Sequence, residues 1–122
     1  MAEELLDQLR AICLAFPEAS EESGVGNPSF KVRSKIFAMQ HSFDERPSVW
    51  CKAPQGVQSM LVSSNPKRFF VPPYVGRHGW IGIWLDSELD WDEIADLVDD
   101  SYRMTAPKRL CALLDQSKPA DI

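Results

Sequence analysis

Hydrophobic positions at the start of the chain recur at one-turn spacings: Leu5, Leu6, Leu9, Ile12, Cys13 and Phe16, with Pro17 directly after. That stripe predicts a first helix that turns one side to a core and stops at the proline. From Pro17 to Pro28 the chain changes to Ser, Glu, Gly and Asn, with Gly24, Gly26 and the Asn27-Pro28 pair. This stretch reads as a loop within one domain. From Ser29 the period becomes two, as Phe30 and Val32 alternate with Lys31 and Arg33. A tight turn near Ser34-Lys35 and the returning run Ile36 to Met39 complete a predicted hairpin. Asp44 to Pro47 makes a further turn, and Ser48 to Lys52 a third strand, so an antiparallel meander is expected.

Pro54 suits the first turn of a short helix with Val57, Met60 and Leu61 on its apolar side, ended by Asn65-Pro66. Lys67 to Gly79 is rich in Pro and Gly yet holds Phe69, Phe70, Val71 and Tyr74, which predicts an ordered loop or a short strand. Trp80 to Leu85 reads as a strand. Asp90 with Glu93 resembles a capping box before a helix lined by Trp91, Ile94, Ala95, Val98 and Tyr102. Thr105 is placed to cap a last helix, with Pro107 in its first turn and Leu110, Leu113 and Leu114 inward. The expected order is helix, three strands, helix, strand, two helices. The fold class is α+β: an antiparallel sheet with helices packed on one face. A single domain is expected over 1–116, followed by a short tail over 117–122.

A length of 122 residues suits one core, and 44% hydrophobic with 25% charged residues excludes disordered, collagen-like and coiled-coil chains. Acids at 3, 4 and 7 do not fit a signal peptide, and the longest apolar run is too short for a bilayer span. No membrane association is expected. Cys13, Cys51 and Cys111, odd in number and widely spaced, fit free thiols in a reducing cytoplasm.

Charge alters the picture more than composition does. The net value of -5 conceals three blocks. Residues 1–24 hold six acids and one Arg, for -5; residues 25–85 hold eight bases and two acids, for +6; residues 86–122 hold ten acids and four bases, for -6. A basic middle between acidic ends is a polarised molecule, and its net charge says little about local potential.

If Phe30, Val32, Val49 and Cys51 face the core, alternation puts Lys31, Arg33, Trp50 and Lys52 on the other side of the sheet, with Trp80 and Trp84 beside them. Cations among aromatic rings could hold phosphates and stack bases. The plainer alternative is solvated charge with the indoles covered. Gly82 between Trp80 and Trp84 leaves a notch for a ligand, a partner side chain or an aromatic of the same fold. Chemistry-bearing constellations are thin. Cys51 with His41 or His78 could form a thiol and base pair, and a strand thiol more commonly packs. The histidines lack neighbouring ligands at short spacing, and the glycines fit no nucleotide fingerprint. The acids from Asp86 to Asp100 suit helix capping and a solvated helix face. No enzyme activity, cofactor or metal is expected.

The segment Asn27 to Ala38, followed by Pro73-Tyr74-Val75-Gly76, Gly79-Trp80-Ile81-Gly82, Leu85-Asp86, Asp100-Ser101-Tyr102-Arg103 and Ala106-Pro107-Lys108, resembles the MmcQ/YjbR family of small bacterial proteins. The resemblance runs from the first helix to about Leu114. It implies a two-layer CyaY-like (frataxin-like) fold and a DNA-binding role by analogy with a double-wing arrangement, the wing being the hairpin Phe30 to Met39. Two positions depart from the family's habit: Asn27 stands where His is frequent, and Ser34 where Gly is. The expected nucleic-acid-binding set is Lys31, Arg33, Lys35, Trp50, Lys52, Arg77 and Trp80, with weak, salt-dependent binding to DNA. The alternative is a protein-interaction or small-ligand module using the Trp80/Gly82/Trp84 surface, with a protein partner or a second copy as occupant.

Overall fold

Alternation in the middle of the chain and helical stripes at both ends produce one sheet and four helices in the computed structural model, which describes residues 2–22, 28–43, 46–86 and 90–117. The expected features at Gly24, Gly26, Asn27, Asp44 and Glu88 lie outside the described residues, as does most of the predicted tail. Helix α1 spans Ala2–Leu14. Strands β1 (Ser20–Glu22), β2 (Ser29–Val32), β3 (Lys35–Phe43) and β4 (Arg46–Cys51) follow. Helix α2 (Val57–Ser64), strand β5 (Phe69–Phe70), a 3-10 turn over Gly76–His78 and strand β6 (Ile81–Trp84) come next, then α3 (Trp91–Thr105) and α4 (Lys108–Ser117). The sheet is antiparallel throughout, in the order β1-β2-β3-β4-β6-β5.

The core lies where the stripes meet one sheet face. Leu9 and Cys13 of α1 and Ile94, Val98 and Tyr102 of α3 are buried with Phe30, Val32, Val49, Cys51, Ile81 and Ile83. Phe37 joins them through a bulge: Phe30 pairs with Ala38 but Lys31 pairs with Ile36, so β3 carries one extra residue there. Its ring meets Tyr102 edge-on at 5.3 Å, while Phe16 stacks on Tyr102 at 4.7 Å. The Tyr102 hydroxyl reaches the Pro17 carbonyl at 2.7 Å, which ties the end of α1 to α3. Ser101 supplies the other tie. Its buried hydroxyl donates to the Phe37 carbonyl and accepts the Lys52 N–H at 2.8 Å, fastening α3 across β3 and the end of β4.

Several local expectations shift. The tight turn is centred on Arg33 and Ser34, both at positive φ (52° and 68°), the arrangement of a two-residue hairpin. Thr105 does not cap the last helix; it ends α3, where its hydroxyl donates back to the Ser101 carbonyl. Asp90 caps α3 as expected, accepting the Glu93 N–H at 3.1 Å. Met60 and Leu113, expected inward, are exposed. Among the described residues, no helix is long and apolar enough to cross a membrane.

Candidate functional site

Strand register decides which charges meet. Strand β2 ends at Val32 and β3 begins at Lys35, while the pairs Ala38 with Cys51 and Cys51 with Ile81 bring the end of β4 and the start of β6 to that side. Arg33, Lys35 and Lys52 therefore share one end of the sheet with the segment leading into β6, which carries Arg77 and His78. A Cβ placed on Gly79 would lie 3.8 Å from the Ala53 carbonyl oxygen, so the two crossings adjoin. Between them runs an open groove of about 370 Å³ lined by Ala53, Gln55, Gln58, Ser59, His78 and Met104. Helix α3 reaches the same end through Ser101, bringing the start of α4 with Lys108 and Arg109.

Ion pairs separate the cations further. Lys31 is paired with Glu22, Arg33 with Glu18 through two nitrogens at 2.7 and 3.2 Å, Arg46 with Asp86 at 2.6 and 3.0 Å, and Arg68 with Glu93. Those guanidinium bonds hold the Glu18 and Asp86 carboxyls below their ordinary pKa. Arg103 takes up Asp99 and Asp115. Among the described residues, Lys35, Lys52, Arg77 and Lys108 at the hairpin end carry no ion pair, and Arg109 only a 3.7 Å approach to Glu18. At that end Glu18 is already paired, and the Asp100 carboxyl has its pKa raised by burial and by Asp99 and Asp96. The far end holds Asp86, Asp90, Asp92 and Glu93, with Arg46 and Arg68 paired into it and Lys67 nearby. The molecule is polarised along its strands.

The face opposite the helices is not the expected open platform. Trp50 is 4% exposed and Trp80 8% exposed. His41 stacks on Trp50 at 4.3 Å, Phe70 meets Trp50 edge-on at 6.5 Å and stacks on Trp84 at 4.3 Å, and the Arg46 guanidinium lies 3.8 Å over Trp84. The Trp50 indole N–H is taken by the Ser48 hydroxyl at 3.1 Å. The notch at Gly82 is filled from within, because a Cβ there would fall 2.2 to 2.5 Å from the Phe70 ring. Trp50 and Trp80 are thus unavailable for stacking, and the notch at Gly82 between Trp80 and Trp84 is occupied by Phe70. The reason is β5, which the sequence left unresolved and which carries Phe70 opposite Gly82.

The thiol and base pair does not form either. Cys51 is buried on the core face, its thiol directed to the Leu97 carbonyl and pushed up to about 12 by burial, while His41 lies on the opposite face against Trp50 and His78 is exposed at the groove. Of the expected set, the fold gathers Arg33, Lys35, Lys52 and Arg77, leaves Lys31 along β2 with Glu22, and buries both indoles.

The hairpin end also shows a residue not singled out before. Tyr74 is 88% exposed and holds φ at 67°, a left-handed conformation costly for a non-glycine residue. The Val75 N–H bonds the Pro73 carbonyl at 2.7 Å across it, a three-residue turn of the strained hand, and the Gly76 N–H bonds the Pro72 carbonyl at 3.0 Å. Gln58 fixes the loop by donating to the Gly76 and Trp80 carbonyls. The Pro and Gly content of Lys67 to Gly79 marked this loop in the sequence; the exposure of Tyr74 was not readable there.

A family model for YjbR matches residues 14–104, most of the chain. The protein belongs to the YjbR family. Two solved structures of similar shape bear on the fold. The Deinococcus radiodurans protein DR2400, described with the domain name DUF419, shares 20% identity over 81% of this chain and 76% of its own, with a TM-score of 0.72. A Pseudomonas syringae protein shares 15% identity over 71% of this chain and 86% of its own, with a TM-score of 0.58. Among curated proteins there is no match. The two likenesses support the α+β fold of this YjbR protein.

Proposed function

We propose that this YjbR protein is a non-enzymatic DNA-binding protein that holds the phosphate backbone at the hairpin end of its sheet. The observation that carries the reading is the gathering there of Lys35, Lys52 and Arg77, three cations without internal acid partners, on a chain that pairs most of its other bases. An unpaired ammonium or guanidinium meets a phosphate without first giving up a carboxylate, whereas Lys31 and Arg46 would exchange one anion for another. Lys108 and Arg109 extend the surface beyond the basic middle block. A few phosphate contacts on a protein of net charge -5 give modest affinity that falls steeply with salt and little sequence preference.

Titration of labelled single- and double-stranded DNA at low salt tests this. Lys52→Glu/Arg77→Glu is expected to weaken binding by about tenfold or more, since each charge reversal both removes a phosphate contact and adds repulsion. Lys31→Glu should act much less. Absence of binding by the native protein, or equal binding by the double variant, overturns the proposal.

A further inference from the structure

We infer that Tyr74 is a base-stacking residue, which takes an unpaired nucleobase while the neighbouring cations hold the adjoining phosphates; this rests on the DNA-binding reading above. A large ring left 88% exposed contributes nothing to the core, and a left-handed backbone beneath it adds strain. Stability alone favours neither, yet the loop is built to keep both. The Pro73 and Pro72 carbonyls accept the Val75 and Gly76 N–H groups, Gln58 holds the Gly76 and Trp80 carbonyls, and Val71 packs so closely against Gly76 that a Cβ there would fall 2.4 Å from it. The ring is thus presented on a fixed support, which lowers the ordering cost of contact.

Its surroundings specify the ligand. The loop joins β5 to β6 at the hairpin end, so the ring shares that end of the sheet with Arg77, three residues on in the chain, and with Lys52, next to Ala53, which adjoins Gly79. A planar ring beside unpaired cations matches the alternation of base and phosphate along a single strand. The internal aromatic row cannot serve, because Trp50 and Phe70 are already engaged with each other. A duplex keeps its bases stacked and offers this ring nothing comparable.

The test compares native protein, Tyr74→Ala, Tyr74→Phe and Lys52→Ala/Arg77→Ala by fluorescence anisotropy with labelled oligo-dT and a duplex of equal length. Tyr74→Ala should weaken oligo-dT binding by at least about fivefold, the smallest loss typical of one base–aromatic stack, without changing its salt dependence. Tyr74→Phe should restore native affinity, and the native preference for oligo-dT over duplex should vanish in Tyr74→Ala. Thermal melting of each variant confirms the fold, which an exposed loop position leaves intact. Native affinity for oligo-dT in Tyr74→Ala, or equal weakness in Tyr74→Phe, overturns the stacking role; the DNA-binding reading survives if Lys52→Ala/Arg77→Ala is still impaired. Failure of the native protein to bind either DNA overturns both.

Discussion

Two regions of this molecule carry the same kinds of residue and put them to opposite uses. The sheet face opposite the helices holds His41, Trp50, Phe70, Trp84 and Arg46, each engaged by the next, with Asp86 closing the row on Arg46. The hairpin end holds Lys35, Lys52, Tyr74 and Arg77, none of them in an ion pair or ring contact with the described residues. Aromatic and cationic side chains that satisfy one another act as a second small core. The same side chains left unsatisfied are a surface held ready for something else. Internal partnership, more than residue type, separates scaffold from candidate site.

The largest expected effect lies on the aromatic face. Trp50→Ala removes a buried indole between His41 and Phe70 and is expected to destabilise the protein by about 3–5 kcal/mol in urea unfolding. Lys52→Ala and Arg77→Ala should stay within about 0.5 kcal/mol of native. Equal stability of all three variants would erase the distinction between the regions. Gly82→Ala comes next, at about 1–3 kcal/mol, because its methyl group enters the space of a Phe70 ring that Trp84 prevents from turning aside.

A pH series sharpens the contrast at the acidic end. The Arg46 bonds depress the folded pKa of Asp86 below its unfolded value of about 3.9. The pair's stabilisation is therefore complete above that value and is lost as pH falls through the folded pKa. Asp86→Asn should flatten the acid limb of a urea-midpoint profile, and an unchanged limb would mean that the pair contributes nothing. The smallest effect is at the hairpin tip. Ser34→Gly relieves a residue at φ 68° and should raise stability by about 0.5–1 kcal/mol, read as a higher melting temperature.

How far the sequence carried these regions depends on what each leaves in the pattern of residues. Leu9 with Cys13, and Ile94 with Val98 and Tyr102, announce buried helix faces, and Phe30 with Val32 a buried strand face; each is where its spacing places it. Strand β1 gives no such signal. Its three residues, Ser20–Glu22, are polar and form an edge of the sheet paired with β2. Strand β5 is two residues long amid Pro and Lys, so the sequence left loop and short strand open and did not show its pairing with β6, hence neither the filling of the Gly82 notch by Phe70 nor the covering of Trp50. Charge blocks foretold a basic middle, but pairing depends on contacts far apart in the chain: Arg33 with Glu18, and Arg46 with Asp86 forty residues on. Lys108 and Arg109 stand in an acidic block and reach the basic end only because α3 is pinned there by Ser101.

The salt dependence of duplex binding tests the hairpin-end interface most directly. Plotting log affinity against log salt for native protein, Lys52→Ala/Arg77→Ala and Lys31→Ala counts phosphate contacts without knowledge of the natural sequence. The double variant is expected to lower the slope by about 1.8, about 0.9 for each lost contact, and Lys31→Ala to leave it unchanged. A native slope in the double variant, with a reduced slope in Lys31→Ala, would contradict the assignment and move the interface from the hairpin end to the sheet face.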